Sequence, residues 1–200
     1  LLRAHDPAAV VIVHVLGVPN DMGALLALRD RYGFLLLEDA CASTGSRYDG
    51  RLVGTFGDLS TFSFYFGHQF STIEGGMVST DDKAFRDLLL MLRSHGWSKD
   101  LDRSSHAALV RRHKIDDFHS PFVFYEPGFN LRSTDLNAYI GLEQLKKLPA
   151  IIRARRRNHA LYLEKRGRRF YVQRPEPGDE TCIISFGRLA GSAEERRAIV

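Results

Sequence analysis

The start of the chain reads as an apolar block, an amphipathic block and a second apolar block. Residues 9–16, rich in Val and Ile, predict a strand. Asp21 can cap a helix running to Arg31, with Met22, Leu25, Leu26 and Leu28 on one face and Gly33 as its stop. Residues 34–38 predict a second, near-continuous apolar strand, the pattern expected where both faces are covered. Strand, helix and strand within about 30 residues predict a right-handed βαβ unit and a parallel sheet. Asp39 stands at the carboxyl end of the second strand, where open α/β sheets place their ligand chemistry.

Glycines punctuate the next stretch of chain. Residues 45–50 predict a turn or short hairpin, and strands are expected at 60–64 and 77–79, the latter entered through Gly75-Gly76. Asp81 or Asp82 caps a predicted helix from Lys83 to Ser94, stopped by Gly96. Residues 97–125 are polar and crowded with His and Arg around Arg111-Arg112-His113, and predict a long loop or lid. Ser133 or Thr134 opens a helix through Leu148, with Leu136, Tyr139, Ile140 and Leu145 expected to face inward and Pro149 to end it. A basic helix to about Gly167 and strand-like pieces at 170–173 and 181–186 complete the pattern, which contains no internal repeat. The domain division expected is a partial large domain, the ligand-binding one, over 1–148, then a linking helix and truncated C-terminal domain over 149–200.

Composition narrows the class. Hydrophobic residues at 44% and charged residues at 26% are those of a folded globular protein, not a disordered or fibrous one. The longest apolar runs fall far short of the ~20 residues a bilayer span needs, so no membrane helix is expected. The first residues, Leu1-Leu2-Arg3-Ala4-His5-Asp6, lack a starting Met and the layout of a signal peptide, and read as the middle of a longer chain. Two cysteines, Cys41 and Cys182, are too few for a disulfide framework and fit a reducing cytoplasm. The net charge of +4 is local: residues 151–170 hold eight basic side chains against Glu164, an excess of +7 that leaves −3 on the rest. Such a helix can bind acidic partners, but a solvated face of long basic stems explains it more simply. No aromatic ladder accompanies the arginines, so no nucleic acid is expected.

Candidate chemistry concentrates between Glu38 and Gly76. Asp39 stands past a buried strand, followed by Ser63 and by His68 in Tyr65-Phe66-Gly67-His68-Gln69. Singly, each is weak evidence: an Asp at a strand end is often a cap, and a lone His is usually a satisfied core or surface residue. No Gly-x-Ser-x-Gly elbow, His-Glu-x-x-His, Cys-x-x-Cys, G-x-G-x-x-G or P-loop occurs, so neither a serine hydrolase nor a metal site is expected.

Together the strings are specific. Leu37-Glu38-Asp39-Ala40-Cys41, Gly57-Asp58-Leu59-Ser60-Thr61-Phe62-Ser63-Phe64 and Glu74-Gly75-Gly76-Met77-Val78 resemble the DegT/DnrJ/EryC1/StrS family of vitamin B6 sugar aminotransferases. Val13-His14-Val15-Leu16-Gly17 upstream and Gly128-Phe129-Asn130-Leu131-Arg132-Ser133-Thr134-Asp135-Leu136 downstream agree, and the resemblance covers roughly residues 10–165. It implies a fold type I large domain, a mostly parallel sheet flanked by helices, plus the start of a small C-terminal α+β domain. It implies pyridoxal 5′-phosphate or pyridoxamine 5′-phosphate as cofactor. Asp39 would pair with the pyridine nitrogen and keep the ring an electron sink. Ser63 would donate to the cofactor phosphate, and Asn130 would reach the phosphate of a neighbouring subunit's cofactor. The resemblance therefore implies a homodimer with a shared active site.

One position departs from the aminotransferase pattern. Where the family usually has Ser-Phe-x-x-x-Lys, the lysine forming the Schiff base, this chain reads Ser63-Phe64-Tyr65-Phe66-Gly67-His68, and no lysine lies between Asp39 and Asp82. A histidine is a competent base near neutral pH, and a subgroup of the family carries His here: the deoxygenating 3-dehydratases of GDP-4-keto-6-deoxymannose and related CDP-sugars. Gly67-His68-Gln69-Phe70-Ser71-Thr72-Ile73-Glu74-Gly75-Gly76 and Arg93-Ser94-His95-Gly96-Trp97-Ser98-Lys99-Asp100 resemble that subgroup, except that Gln69 replaces a second His. The resemblance implies removal of the C3 hydroxyl from a nucleotide-linked 4-keto-6-deoxy sugar in deoxysugar biosynthesis, with His68 as the base. Glutamate would be the amino donor and His95 an active-site neighbour, although a structural role beside Gly96 fits His95 equally. The alternative is a family member with an altered or lost catalytic lysine.

Overall fold

The computed structural model describes residues 2–165, 174–187 and 189–199. After a short helix α1 (Leu2–His5) come β1 (Ala9–Val13), α2 (Met22–Tyr32) and β2 (Leu35–Asp39). Asp21 caps α2 by accepting from the Ala24 N–H at 2.9 Å, and Gly33 ends it at φ 74°, as the sequence predicts. The hairpin also forms: β3 (Arg47–Tyr48) and β4 (Arg51–Leu52) join through Asp49 and Gly50, both at positive φ as a two-residue primed turn requires. β5 (Leu59–Ser63) and β6 (Gly76–Ser79) complete a four-stranded sheet ordered β1-β2-β5-β6. Its first three strands run parallel, and β6 lies antiparallel on the edge.

Compact packing divides the chain into two units, Leu1–Ser79 with Asp135–Val200, and Thr80–Thr134. In the first, Met22 of α2 packs with Phe34 and Leu36 at β2 on one sheet face, flanked by Val10, Ile12, Leu25 and Leu26. The strand alternation puts Leu36, Glu38 and Ser60 on that face, all at most 2% exposed. Val11, Val13 and Leu35 point the other way and are 65%, 45% and 39% exposed. On β2 itself Leu35 is exposed and Leu37 half-buried, so the second face is less covered than the apolar run predicts.

α5 (Asp135–Leu145) and α6 (Leu148–Lys165) belong to the same unit. Leu136, Tyr139 and Leu145 are exposed, contrary to expectation; α5 packs inward through Gly141, where a Cβ would stand 3.0 Å from the Thr72 methyl. Pro149 does not end a helix but sits in the first turn of α6, where its missing N–H costs nothing. α6 is more than a solvated basic face. Arg155 donates to the Ile183 carbonyl at 2.7 Å, Arg156 pairs with Glu180, and buried His159 meets the Thr181 hydroxyl at 2.6 Å. Residues 181–186 form no strand; one bridge, Arg47 to Glu180, introduces them. The expected strand at 170–173 lies outside the described residues. A last helix, α7 (Ala193–Ile199), closes this unit.

The second unit contains α3 (Lys83–Arg93), capped by Asp82, and α4 (Arg103–His113), capped by Asp102. α4 corrects the expectation of an irregular 97–125: two short 3₁₀ turns and an eleven-residue helix fill it. Lys83 bridges Asp87 at 2.6 Å and Asp102 at 2.9 Å, tying the start of α3 to the cap of α4.

Candidate active site

Asp39 is the last residue of β2, and its register partner on β5 is Thr61. Ser63, the last residue of β5, is two residues further on and so lies on the same face about 6–7 Å along the strand. Both side chains belong to the open face, beside exposed Val13, at the carboxyl edge of the parallel strands. The Cys41 N–H donates to Asp39 Oδ1 at 3.0 Å, which turns the chain away from the strand and leaves Oδ2 without a backbone donor among the described residues. Burial, with Asp39 alongside, pushes the Cys41 thiol up from its ordinary range.

His68 sits in the loop that leaves β5. The loop is closed at its base by the Phe64 N–H on Gly75 O and the Thr72 N–H on Phe64 O, both 2.9 Å, and Phe64 stacks on Phe70 with centroids 4.8 Å apart. A tight turn brings the His68 N–H to Tyr65 O at 3.1 Å. The His68 ring is half-buried, and its Nδ1 is buried with no hydrogen-bond partner. Asp39 and Ser63 thus stand at the ends of adjacent strands, and His68 follows Ser63 in the loop that leaves β5, all within one unit.

The other two candidates belong to the second unit. The segment 128–131 runs beside the end of α3: Phe129 N–H donates to Leu92 O at 2.7 Å, His95 N–H to Phe129 O at 2.7 Å, and Leu131 N–H to Arg93 O at 2.9 Å. Asn130 is thus bridged to buried Ser94, one residue from His95, and Asn130 and His95 are both exposed. His95 holds φ at 61°, a left-handed conformation that costs a non-glycine residue of order 1 kcal/mol or more and is common at functional sites.

Behind Asp39, on the covered face, is a polar hub that the motif residues do not single out. Glu38 Oε1 accepts the Phe56 and Gly57 N–H groups, each at 2.6 Å, while Oε2 accepts the Gly54 N–H at 2.7 Å. His14 Nε2 completes the set at 3.1 Å. Because His14 Nδ1 accepts the Asn20 N–H at 3.1 Å, Nε2 carries the proton and donates to Glu38. Burial alone would raise the Glu38 carboxyl, but these four donors prevail and hold it below its ordinary value. The signal available in the sequence is a glutamate at the buried parity of an apolar strand, since such a charge must be met by donors.

These residues suit a pyridoxamine-type cofactor: a strand-end carboxylate and hydroxyl on adjacent strands, an unpartnered imidazole nitrogen in the loop that follows, and no lysine between Asp39 and Asp82 to hold an aldehyde form covalently. A family model, the DegT/DnrJ/EryC1/StrS aminotransferase family, matches residues 4–183. The chain belongs to that family. Within the DegT/DnrJ/EryC1/StrS proteins it is 37% identical over 181 residues to GDP-4-keto-6-deoxy-D-mannose 3-dehydratase of Yersinia pseudotuberculosis, covering 90% of this chain and 46% of the relative. The Escherichia coli O55:H7 protein of the same name is 38% identical over 157 residues, covering 78% of this chain and 40% of the relative. The chain thus spans about half the length of the curated relatives it matches. A solved structure of the E. coli enzyme with bound hydrated PLP superposes with a TM-score of 0.83 at 32% identity, over 96% of this chain and 49% of the other. The mixed α/β fold with a mostly parallel sheet is therefore the one the DegT family shares.

Proposed function

We propose that this chain is part of a pyridoxamine-phosphate-dependent 3-dehydratase acting on a nucleotide-linked 4-keto-6-deoxy sugar. The observation that carries this reading is His68, standing where the aminotransferases bear lysine, with an unpartnered buried Nδ1. The relatives named as 3-dehydratases support it. When bound, the cofactor supplies an amine for the sugar ketone and a protonated ring that draws electrons away as the C3 hydroxyl departs. Asp39 holds the ring nitrogen's proton with its carboxylate, and Ser63 donates to the phosphate. His68 takes up a proton as general base and, having no amine, leaves the cofactor untethered. In this reading residues 1–148 carry the cofactor-binding part and 149–200 a linking helix and C-terminal part, the latter packed in the same unit as the sheet.

The same reading makes glutamate the amino donor; a solved GDP-4-keto-6-deoxymannose-3-dehydratase carries a trapped PLP-glutamate geminal diamine. Asn130 serves the partner subunit's cofactor phosphate, with His95 beside it, in a cytoplasmic homodimer. Exposed Leu136, Tyr139, Leu142 and Leu145 on α5 supply an apolar stripe for such an assembly. Among the described residues no helix is long and apolar enough to cross a membrane, and no cluster suits a metal ion.

The test is His68→Lys in the dehydrating protein. Pyridoxal phosphate should then attach at residue 68, read by reduction with borohydride and peptide mass, and dehydration should be lost. Dehydration at full rate in His68→Lys would remove His68 as the base.

A further inference from the structure

Gln69 follows His68 directly, yet it is only 3% exposed and its amide nitrogen reaches two distant backbones. Nε2 donates to Ala42 O at 2.7 Å and to Cys182 O at 2.8 Å. Two carbonyl acceptors fix the orientation of the amide, since only its NH₂ end can serve both. Ala42 lies in the turn after Asp39, and Cys182 is 113 positions away in sequence. The anchor at Cys182 is itself rigid. Its N–H donates to the Ser46 hydroxyl at 2.8 Å, which donates in turn to Gly17 O at 2.7 Å, and all three residues are buried. Arg155 adds a second tie, spanning Ile183 O at 2.7 Å and His68 O at 3.5 Å.

We propose that Gln69 is a positioning residue for His68: its amide locks the His68 turn to the loop after Asp39 and to the Cys182 anchor, setting the base against the carboxylate. The inference rests on the proposed roles of His68 and Asp39 only for its catalytic meaning; the clamp itself stands on the distances above. A glutamate at 69 keeps the shape but faces two carbonyls with no proton to donate, and a leucine fills the space with no donor at all.

The experiment uses the 200-residue chain and two readouts that need no cofactor. In the parent, the Gln69 side-chain NH₂ hydrogens should exchange at least about tenfold more slowly than an exposed glutamine amide by ¹⁵N NMR. In Gln69→Leu and Gln69→Glu, carbethoxylation of His68 by diethyl pyrocarbonate, read by peptide mass, should accelerate roughly tenfold as the turn is released. Exposed His119 should react at the parent rate. Unchanged His68 reactivity in a folded Gln69→Leu chain would overturn the proposal. If neither variant folds, the parent decides: Gln69 hydrogens exchanging like an exposed amide overturn it, and protected ones support it. A failed dehydration assay leaves these readouts untouched, so the two ideas fail separately.

Discussion

Glu38 and Asp39 are consecutive, yet the pleat sends their side chains to opposite faces, and the two carboxylates do unlike work. Glu38, with four donors, is a fastener; its folded-state carboxyl lies below its ordinary value near 4.5. A depressed carboxyl contributes stability that is fully present above 4.5 and lost as pH falls through the folded value, because the unfolded chain takes up the proton first. Glu38→Gln should be less stable than the parent at pH 7 by roughly 3–5 kcal/mol, since His14 and three N–H groups lose a charged acceptor. Urea unfolding across pH 3.5–7 should also show a shallower acid decline for the variant. Parallel curves would deny Glu38 that role. Asp39, with one oxygen committed to Cys41, is the carboxylate that the proposed function sets against the cofactor ring. Asp39→Asn keeps its shape and should slow dehydration on the order of 10³-fold, each 1.36 kcal/mol of barrier being tenfold. Activity within about threefold of the parent would make Asp39 a cap.

Among the elements, β1, α2, β2 and the hairpin were legible because each carries its own local signal: an apolar run, an Asp cap, a glycine stop, an Asp-Gly turn. α4 was not, although Asp102 caps it, because Arg103, Ser104, Ser105 and His106 open it with no apolar stripe and His and Arg fill its last turn. The α5 stripe could be read at three-residue spacing, but which way it faces depends on neighbours the local pattern does not name. At the candidate site, Asp39, Ser63 and His68 were readable as strand-end and loop residues. The Glu38 and Gln69 fastenings were hidden, since their partners are backbone groups distant in sequence. Gly17 shows how tight one such meeting is: at φ 96°, an added Cβ would stand 2.5 Å from Cys182 O. Gly17→Ala should therefore cost about 3 kcal/mol or more in chemical denaturation, from strain and clash together. A loss under about 0.5 kcal/mol would mean the contact relaxes freely.

For the whole molecule, the shared-site proposal makes a quantitative claim about subunits. In a mixed dimer of Asn130→Ala and His68→Ala chains, action across the interface puts both lesions in one site and none in the other. About half the parent activity should survive, measured on purified heterodimer; near-zero activity would place Asn130 in its own subunit's site. Asn130→Ala alone should weaken cofactor binding roughly ten- to a hundredfold, the worth of a charge-assisted bond to phosphate. The Cys182 anchor also imposes an order on synthesis. Asp39, Ser63 and His68 all leave the ribosome well before Cys182, so a nascent chain holds these candidate site residues while one end of the Gln69 contact is still untranslated. Closure of the proposed clamp beside His68 is thus completed late, by a residue outside the proposed reaction.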